Sequence, residues 1–159
     1  MIRLSYTLRK RTDQDIQEFI TWRYEGNYSF YDNPIQEEKV NGFLESGNRE
    51  GFYSVIDREG RLAGNCEFFQ VGDETEDIMG VGIQMKPALT GKGEGKLFFH
   101  SIIEEGRRKL GYDHLELAVV DFNVRAISVY ERAGFVQKGE FQNNIRGQEY
   151  RFIIMEKDW

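Results

Sequence analysis

Three glycines stand at alternate positions, Gly91, Gly93 and Gly95, in the stretch "KPALTGKGEGKLFF". They come directly before a run with helical periodicity, and backbone N–H groups at a helix start bind phosphate oxygens. Glycine lets the backbone approach such a ligand closely and adopt dihedral angles that a β-carbon opposes. The spacing therefore indicates a phosphate-binding turn, with a glycine-rich connector that binds no ligand as the alternative.

Two familiar phosphate motifs do not fit this stretch. A P-loop needs Ser or Thr after its Gly-Lys pair, and here Leu97 follows Lys96, which leaves no hydroxyl for magnesium. The dinucleotide fingerprint needs a third glycine one position later, on a parallel strand-helix-strand unit. The preceding strands read as antiparallel, so both nucleotide-binding classes are set aside.

Composition and charge limit the class of protein. The chain has 159 residues, 40% of them hydrophobic, and a net charge of −6. We expect one soluble domain spanning residues 1–159, with no affinity for nucleic acid, whose backbone repels an acidic protein. No apolar run is long enough for a bilayer, so no membrane association is expected.

Cysteine and histidine usage points to a reducing compartment without a metal. Cys66 is the only cysteine, which excludes an internal disulfide and favours a cytoplasmic location. His100 and His114 have no metal-ligand spacing with Cys66. We expect both histidines to be structural or surface residues.

The elements that position the glycine turn form a predicted mixed α/β fold of the α+β type. Thr12 is expected to cap the first helix, Asn33 with Pro34 opens a second that ends at Gly47, and Gly134 closes the last. The predicted order is β-α-α-β-β-β-α-β-α-β-β, a mostly antiparallel sheet of about seven strands with four helices. The strands are read from "IRLSYTLRK", "GFYSVID", "RLAGNCEFFQV", "EDIMGVGIQM", "HLELAVV", "FVQKGEFQ" and "QEYRFIIMEK", the last two joined across "NNIRG".

Two motifs together resemble the GNAT N-acetyltransferase superfamily. Pro87 and the three glycines follow the register of that family's phosphate-binding segment after a strand. Downstream, "NVRAISVYERAGF" reproduces a second family signature with Asn123, Ala126, Tyr130, Glu131, Gly134 and Phe135. The resemblance covers almost the whole chain. It departs where the family has Gln or Arg, because this chain has Thr90, or Ala88 in the other register.

The resemblance implies a GNAT fold whose sheet splays between the fourth and fifth strands, where acetyl-CoA lies as co-substrate. Its pyrophosphate lies over the glycine turn, and its pantetheine arm pairs with the edge of the fourth strand, in the manner of strand addition. The cofactor-binding residues implied are Ile83, Gln84, Met85, Thr90, Gly91, Lys92, Gly93, Glu94, Gly95, Lys96, Asn123 and Tyr130.

The resemblance also implies the reacting groups. Asn123 lies beside the cofactor arm, and Tyr130, two helical turns further on the same face, points to the sulfur. A carboxylate at the start of the fourth strand serves some members as the base, and Asp77, or else Glu76, holds that region. The alternatives are a core aromatic for Tyr130 and a solvated acidic turn for "GDETED".

The acceptor side is expected in the segment "WRYEGNYSFYDN", by the same resemblance. Its aromatic residues would wall an amine pocket, aided by Glu25 or Asp32, and the alternative for most of them is packing of the helices onto the sheet. The candidates for substrate binding are Trp22, Tyr24, Tyr28 and Tyr31, with Phe30 beside them.

The leading hypothesis is an acetyl-CoA-dependent N-acetyltransferase acting on a small amine, a peptide N-terminus or a protein lysine. Two alternatives are a cofactor sensor that has lost turnover and an acyltransferase that uses a different acyl-CoA. A homodimer through the terminal hairpin is a further hypothesis, since some relatives assemble in this way.

Overall fold

A computed structural model describes residues 5–33, 50–72 and 78–159. Seven strands form one mixed sheet in the order β1-β2-β3-β4-β5-β7-β6. The strands are β1 (Thr7–Lys10), β2 (Phe52–Ile56), β3 (Leu62–Val71), β4 (Ile78–Met85), β5 (His114–Val120), β6 (Val136–Ile145) and β7 (Gln148–Asp158). The helices are α1 (Asp13–Phe19), α2 (Gly95–Leu110) and α3 (Val124–Arg132), with 3₁₀ turns at Gly26–Tyr31 and Pro87–Leu89.

The predicted fold class is confirmed, and the described strands and helices follow the predicted order. Neighbouring strands are antiparallel at β1–β2, β2–β3, β5–β7 and β6–β7, and parallel at β4–β5. The parallel register joins Met79 to Leu115 and Gly80 to Glu116, whereas β5 pairs with β7 over seven residues. The predicted second helix, from Pro34 to Gly47 with Asn33 as its cap, lies outside the described residues except for Asn33.

The chain forms two compact units, each with its own core. The first unit comprises Met1–Glu67 and Ile83–Leu110, and the second comprises Phe68–Gly82 with Gly111–Trp159. The first core contains Ile16, Phe19, Ile20, Trp22, Ile56 and Leu62. In the second unit the most deeply buried side chains include Leu115, Val120, Phe135 and Met155.

Helix ends follow the chemistry of their capping residues. Thr12 and Asp15 form a capping box, in which each side chain accepts a hydrogen bond from the other's backbone N–H. At the end of α3, Gly134 has φ +98° and Lys157 Nζ donates to the Ala133 carbonyl at 2.7 Å. A cation there also complements the helix dipole. The predicted caps at Thr12 and Gly134 are confirmed.

The terminal hairpin turns more tightly than the sequence predicts. Strand β6 continues to Ile145, so only Arg146 and Gly147 connect it to β7. Both have positive φ, 53° and 81°, which is the geometry of a two-residue turn that matches strand twist. Asn144 Oδ1 accepts from the Gly147 N–H at 3.0 Å and stabilises the turn. The strands therefore extend over residues predicted to lie in the loop.

Among the three described stretches of chain, no helix has the length and apolar character that crossing a membrane requires.

Candidate functional site

The glycine turn is built by a 3₁₀ turn and two left-handed residues. The Thr90 hydroxyl donates to the Pro87 carbonyl at 2.7 Å and ends the 3₁₀ turn. Gly91 and Gly93 then adopt φ of +70° and +80°, a conformation that side chains oppose. A β-carbon at Gly93 would meet no atom within 4 Å. The backbone conformation, and not a lack of space, therefore requires glycine there. Two of the three glycines are thus explained by backbone geometry.

Helix α2 begins where this turn ends. Its first internal hydrogen bond runs from the Phe98 N–H to the Glu94 carbonyl at 3.0 Å. The N–H groups of the residues between them precede that bond and, by helix geometry, have no acceptor within the helix. Lys92 and Lys96 flank them as exposed cations. The start of α2 therefore presents backbone donors and positive charge together, which suits a phosphate.

Glu94 is held from the N-terminal part of the chain. The Tyr6 hydroxyl donates to Glu94 Oε2 at 3.1 Å, and the Tyr6 ring packs edge-on against Phe98 at 5.3 Å. Burial, together with the Glu94 charge, raises the pKa of Tyr6 to about 12. The phenol is therefore a hydrogen-bond donor to Glu94 throughout the neutral range.

The end of β4 carries a cluster of amide side chains. Gln84 Oε1 accepts from Asn33 Nδ2 at 3.0 Å and from Asn65 Nδ2 at 2.9 Å. Gln84 Nε2 donates to the Tyr31 carbonyl at 3.2 Å, and Asn33 Nδ2 also donates to the Phe19 carbonyl at 2.7 Å. The Gln84 side chain thus joins β3 to the segment that follows α1.

A buried cation lies beside these amides, and we call Arg11 with Asn65 and Glu67 the Arg11 cluster. The Arg11 side chain is 0% exposed and donates to Glu67 Oε1 at 3.1 Å and Asn65 Oδ1 at 3.4 Å. It also donates to the carbonyls of Tyr53 and Cys66 and lies over the rings of Phe19 and Phe52. Each edge of the guanidinium therefore has a partner.

The acceptor-side candidates divide into buried and half-buried residues. Trp22 is 6% exposed and packs in the first core, as the packing alternative expects. Tyr24 packs against that core from its rim, and its hydroxyl donates to the Met85 carbonyl at 2.5 Å. Its ring meets Tyr31 edge-on at 6.5 Å. Tyr28 is half-buried on the intervening 3₁₀ turn.

The remaining candidates lie on α3 or outside the described residues. Asn123 caps α3, with Oδ1 accepting from the Ala126 N–H at 3.2 Å. Tyr130 is half-buried two turns along the helix, and its ring lies 6.4 Å from that of Phe135. Both residues belong to the second unit. Glu76 and Asp77, the candidate bases, lie outside the described residues.

The second unit also contains a charged group that the sequence did not predict, here called the His114 cluster (His114, Glu116, Lys138, Glu156 and Asp158). His114 Nδ1 lies 2.6 Å from Asp158 Oδ1, and Nε2 lies 3.2 Å from Glu116 Oε2 and 3.6 Å from Glu156 Oε2. Lys138 Nζ lies 3.1 Å from the same Glu116 oxygen. Hydrogen bonding to Asp158 raises the pKa of His114.

Sequence reasoning missed the partners of the candidate residues. Asn65 is a polar residue in a buried strand, and that pattern alone is a usable signal for a functional or structural hydrogen bond. For Asn33 the sequence predicts only a helix cap. Tyr6 was interpreted only as part of a strand, because its contact with Glu94 joins residues 88 positions apart.

A model of the acetyltransferase (GNAT) domain matches residues 5–136, most of the chain. Among solved structures, the chain is similar to an acetyltransferase of the GNAT family from Bacillus anthracis, at 16% identity and TM-score 0.78 over 99% of this chain and 97% of that one. It is also similar to spermidine N-acetyltransferase from Vibrio cholerae in complex with CoA and spermine, at 18% identity and TM-score 0.78 over 97% and 95% of the two chains.

A third similar structure is ribosomal-protein-alanine N-acetyltransferase from Brucella melitensis, at 20% identity and TM-score 0.73 over 96% of this chain and 99% of that one. No curated protein matches the chain. At these identities the structures establish a shared fold, while the domain match establishes membership. The chain therefore belongs to the GNAT acetyltransferase family.

Proposed function

We propose that this protein is an acetyl-CoA-dependent N-acetyltransferase that moves the acetyl group from the CoA thioester to a primary amine. The amine attacks directly while both substrates are bound. The observation that carries the proposal is the start of α2, where Gly91 and Gly93 have positive φ directly before a row of helical N–H donors. In a GNAT family member, that turn suits the pyrophosphate of acetyl-CoA.

The residues present fit a CoA pyrophosphate without a Gln or Arg at position 90. Backbone donors at a helix start bind phosphate through geometry, so the side chain at that position adds one contact among several. Thr90 instead uses its hydroxyl to hold the turn, through the Pro87 carbonyl. Lys92 and Lys96 add charge at the same place. The substitution should weaken cofactor binding without abolishing it.

The pantetheine arm is proposed to pair with the outer edge of β4, through Ile83 and Met85. Strand addition uses the backbone groups of every second residue on one edge. Gln84 lies between them, and its backbone carbonyl points toward Gly64 of β3. A β-carbon built on Gly64 would lie 2.3 Å from that carbonyl oxygen. Its contribution to cofactor binding would then be indirect.

Tyr130 is proposed to donate a hydrogen bond to the sulfur as the thioester breaks. A phenol with a pKa of about 10 is a weaker acid than a thiol of about 8.5, so full proton transfer is uphill by about 2 kcal/mol. A hydrogen bond to the developing thiolate avoids that cost and still stabilises the transition state. Asn123, seven residues earlier, caps the helix that carries Tyr130. It is proposed to lie beside the pantetheine arm of the cofactor.

The acceptor amine must lose a proton to become a nucleophile. An alkylammonium has a pKa of about 10.4, so a carboxylate or a water chain has to accept that proton. Asp77, or Glu76, is proposed for this role, in the sequence just before β4. The two solved structures named for their substrates act on spermidine and on a ribosomal-protein alanine, and both substrates are amines. They favour an amine acceptor here, whether small molecule, peptide N-terminus or lysine.

Calorimetry with acetyl-CoA, followed by CoA release against a panel of polyamines, amino-terminal peptides and lysine peptides, tests the proposal. Binding together with release on at least one amine supports it. Binding without release on any amine favours the cofactor sensor. Release only with a longer acyl-CoA favours the third hypothesis, and no binding of any acyl-CoA would contradict all three.

Tyr130→Phe should lower kcat on the order of 100-fold, as loss of a group that acts on the leaving atom usually does. The dissociation constant of acetyl-CoA should change by less than about threefold, because the ring remains in place. Steady-state kinetics and calorimetry measure the two effects. Tyr150→Phe, in the terminal hairpin, is the matched control and should leave both values unchanged.

A further inference from the structure

The outer edge of β4 can be located from its hydrogen bonds to β3. The Lys86 N–H donates to the Ala63 carbonyl at 2.8 Å, so the backbone of Lys86 faces β3. The Gln84 carbonyl lies beside Gly64 on the same side. Backbone groups of successive strand residues point to opposite edges. The N–H and carbonyl of Met85 therefore point away from β3, to the edge proposed for the cofactor.

The Tyr24 hydroxyl reaches that outer edge. It donates to the Met85 carbonyl at 2.5 Å, across 61 residues of sequence. Burial raises the pKa of Tyr24, and the charge of Asp32 adds to the rise against an opposing effect of Gln84. The hydroxyl therefore keeps its proton and remains a donor. A carbonyl oxygen has two lone pairs, so Met85 retains one for a second donor.

Gln84 holds the other end of the segment that contains Tyr24. Which atoms donate and which accept in this contact follows from Arg11. A guanidinium can only donate, so Asn65 Oδ1 accepts from Arg11 and Asn65 Nδ2 must donate to Gln84 Oε1. With Oε1 as acceptor, Gln84 Nε2 is left to donate to the Tyr31 carbonyl. The buried cation thereby sets the orientation of the amides from β3 to the segment.

A hydrogen bond joins the two ends of the segment that lies between these two contacts. The Tyr24 N–H donates to Asp32 Oδ1 at 2.8 Å, which joins the first residues of the segment to the last. Between them lies the 3₁₀ turn Gly26–Tyr31. The segment therefore behaves as one body with two attachments to β4, at Met85 and at Gln84.

We propose that Tyr24 and Gln84 are positioning residues, which hold the segment Tyr24–Asn33 in one place against the outer edge of β4 and so fix the acceptor amine relative to the thioester. The inference rests on the proposed function for the identity of the reaction. It adds that these two contacts fix the position of the segment, as the acceptor side of the site, relative to β4, the strand proposed to bind the cofactor. Shifts of about 1 Å between reacting atoms can cost about 100-fold in rate, so this registration governs kcat.

Tyr24→Phe tests the first contact, because it removes the hydroxyl and keeps the ring. We expect kcat to fall about tenfold and KM for the amine to rise, while the dissociation constant of acetyl-CoA stays within about twofold. Tyr53→Phe on β2 is the matched control, with all three values unchanged. A general loss of structure would instead lower cofactor binding and amine turnover together.

Hydrogen exchange supplies a readout that does not depend on turnover. In Tyr24→Phe, the amides of residues 26–32 should exchange at least about tenfold faster, while those of α2 keep their rates. Asn33→Asp removes one of the two donors to Gln84 Oε1, the one that belongs to the segment, and should loosen the same amides. This second variant decides the question if Tyr24→Phe does not fold.

The outcomes separate the two proposals. Wild-type kinetics and wild-type exchange in Tyr24→Phe and Asn33→Asp, from a protein that turns over amines, would overturn the positioning role alone. A wild-type protein without turnover would overturn the proposed function, and unchanged exchange would then also overturn the two attachments.

Discussion

The Arg11 cluster of the first unit and the His114 cluster of the second both contain ion pairs, but they differ in burial and in charge balance. In the first, one guanidinium that is 0% exposed meets one carboxylate, with the remaining acceptors neutral. In the second, three carboxylates face one lysine and one histidine. An arginine stays charged at any physiological pH, whereas a histidine changes charge near neutrality.

This difference determines which of the two clusters responds to a change in pH. The amides of Asn65 and Gln84 depend on Arg11 for their orientation, so their hydrogen bonds keep one arrangement over the working range. The His114 cluster joins β5, β6 and β7, and the strength of its contacts changes with protonation. We therefore expect stability to respond to pH through the second unit and site geometry to be insensitive to it through the first.

Arg11→Met should have the largest effect, a loss of about 3–5 kcal/mol in the free energy of unfolding. Removing the guanidinium leaves Asn65 Oδ1 and the carbonyls of Tyr53 and Cys66 without their donor, and each buried group left unsatisfied costs about 1–3 kcal/mol. Urea denaturation measures the change. Arg61→Met, whose parent side chain is 73% exposed, is the control and should stay within about 0.5 kcal/mol. A loss below about 1 kcal/mol for Arg11→Met would contradict the comparison.

Lys138→Met should cost about 1 kcal/mol, a smaller amount, because the Lys138 side chain is 43% exposed and solvent screens it. Glu116, with a side chain 8% exposed, then has only the histidine as a cation among these five residues. The variant should also raise the pKa of His114 further, since a neighbouring positive charge is removed. Denaturation at neutral pH measures the first effect and NMR titration of the imidazole the second.

His114→Gln should have the smallest effect at neutral pH, less than about 1 kcal/mol, and should change the pH dependence instead. The pKa of His114 is raised in the folded state, so the stabilisation is fully present below the unfolded value of about 6.5 and is lost as pH rises through the folded value. The difference in unfolding free energy between wild type and variant should therefore shrink as pH rises above about 6.5.

The charged and polar groups that face His114 are the carboxylates of Glu116, Glu156 and Asp158, with Lys138 opposing them. Asp158→Asn removes the largest contribution to the shift and should reproduce most of the His114→Gln profile. Parallel profiles for wild type and His114→Gln would show that the second cluster is as insensitive to pH as the first.

Features that act within a few residues were predictable from the sequence. The Thr12 cap, the Gly134 helix end and the left-handed glycines at 91 and 93 depend on local backbone demands, which residue type reveals directly. The order of the described strands along the chain followed from alternation and turn residues. The family signature then supplied the candidate site.

Contacts between distant residues were not predictable, for a physical reason. Gln84 joins partners 19 and 51 positions away, and nothing local in "VGIQM" distinguishes a side chain with three partners from a solvated one. The two-residue hairpin turn was missed because Asn143 and Asn144 are typical turn residues, yet they pair within β6. Residue type gives a preference, and the tertiary environment selected the other state.

The buried Cys66 has a practical consequence for measuring the reaction. Its side chain is 0% exposed, so a reagent does not reach the thiol in the folded protein. Burial also raises the pKa of the thiol, which therefore stays protonated and unreactive. Because the chain has one cysteine, a disulfide dye added to the native enzyme should report released CoA alone. In denaturant the same dye should count one thiol per chain. One reagent can thus follow turnover in the folded protein and unfolding in the variants.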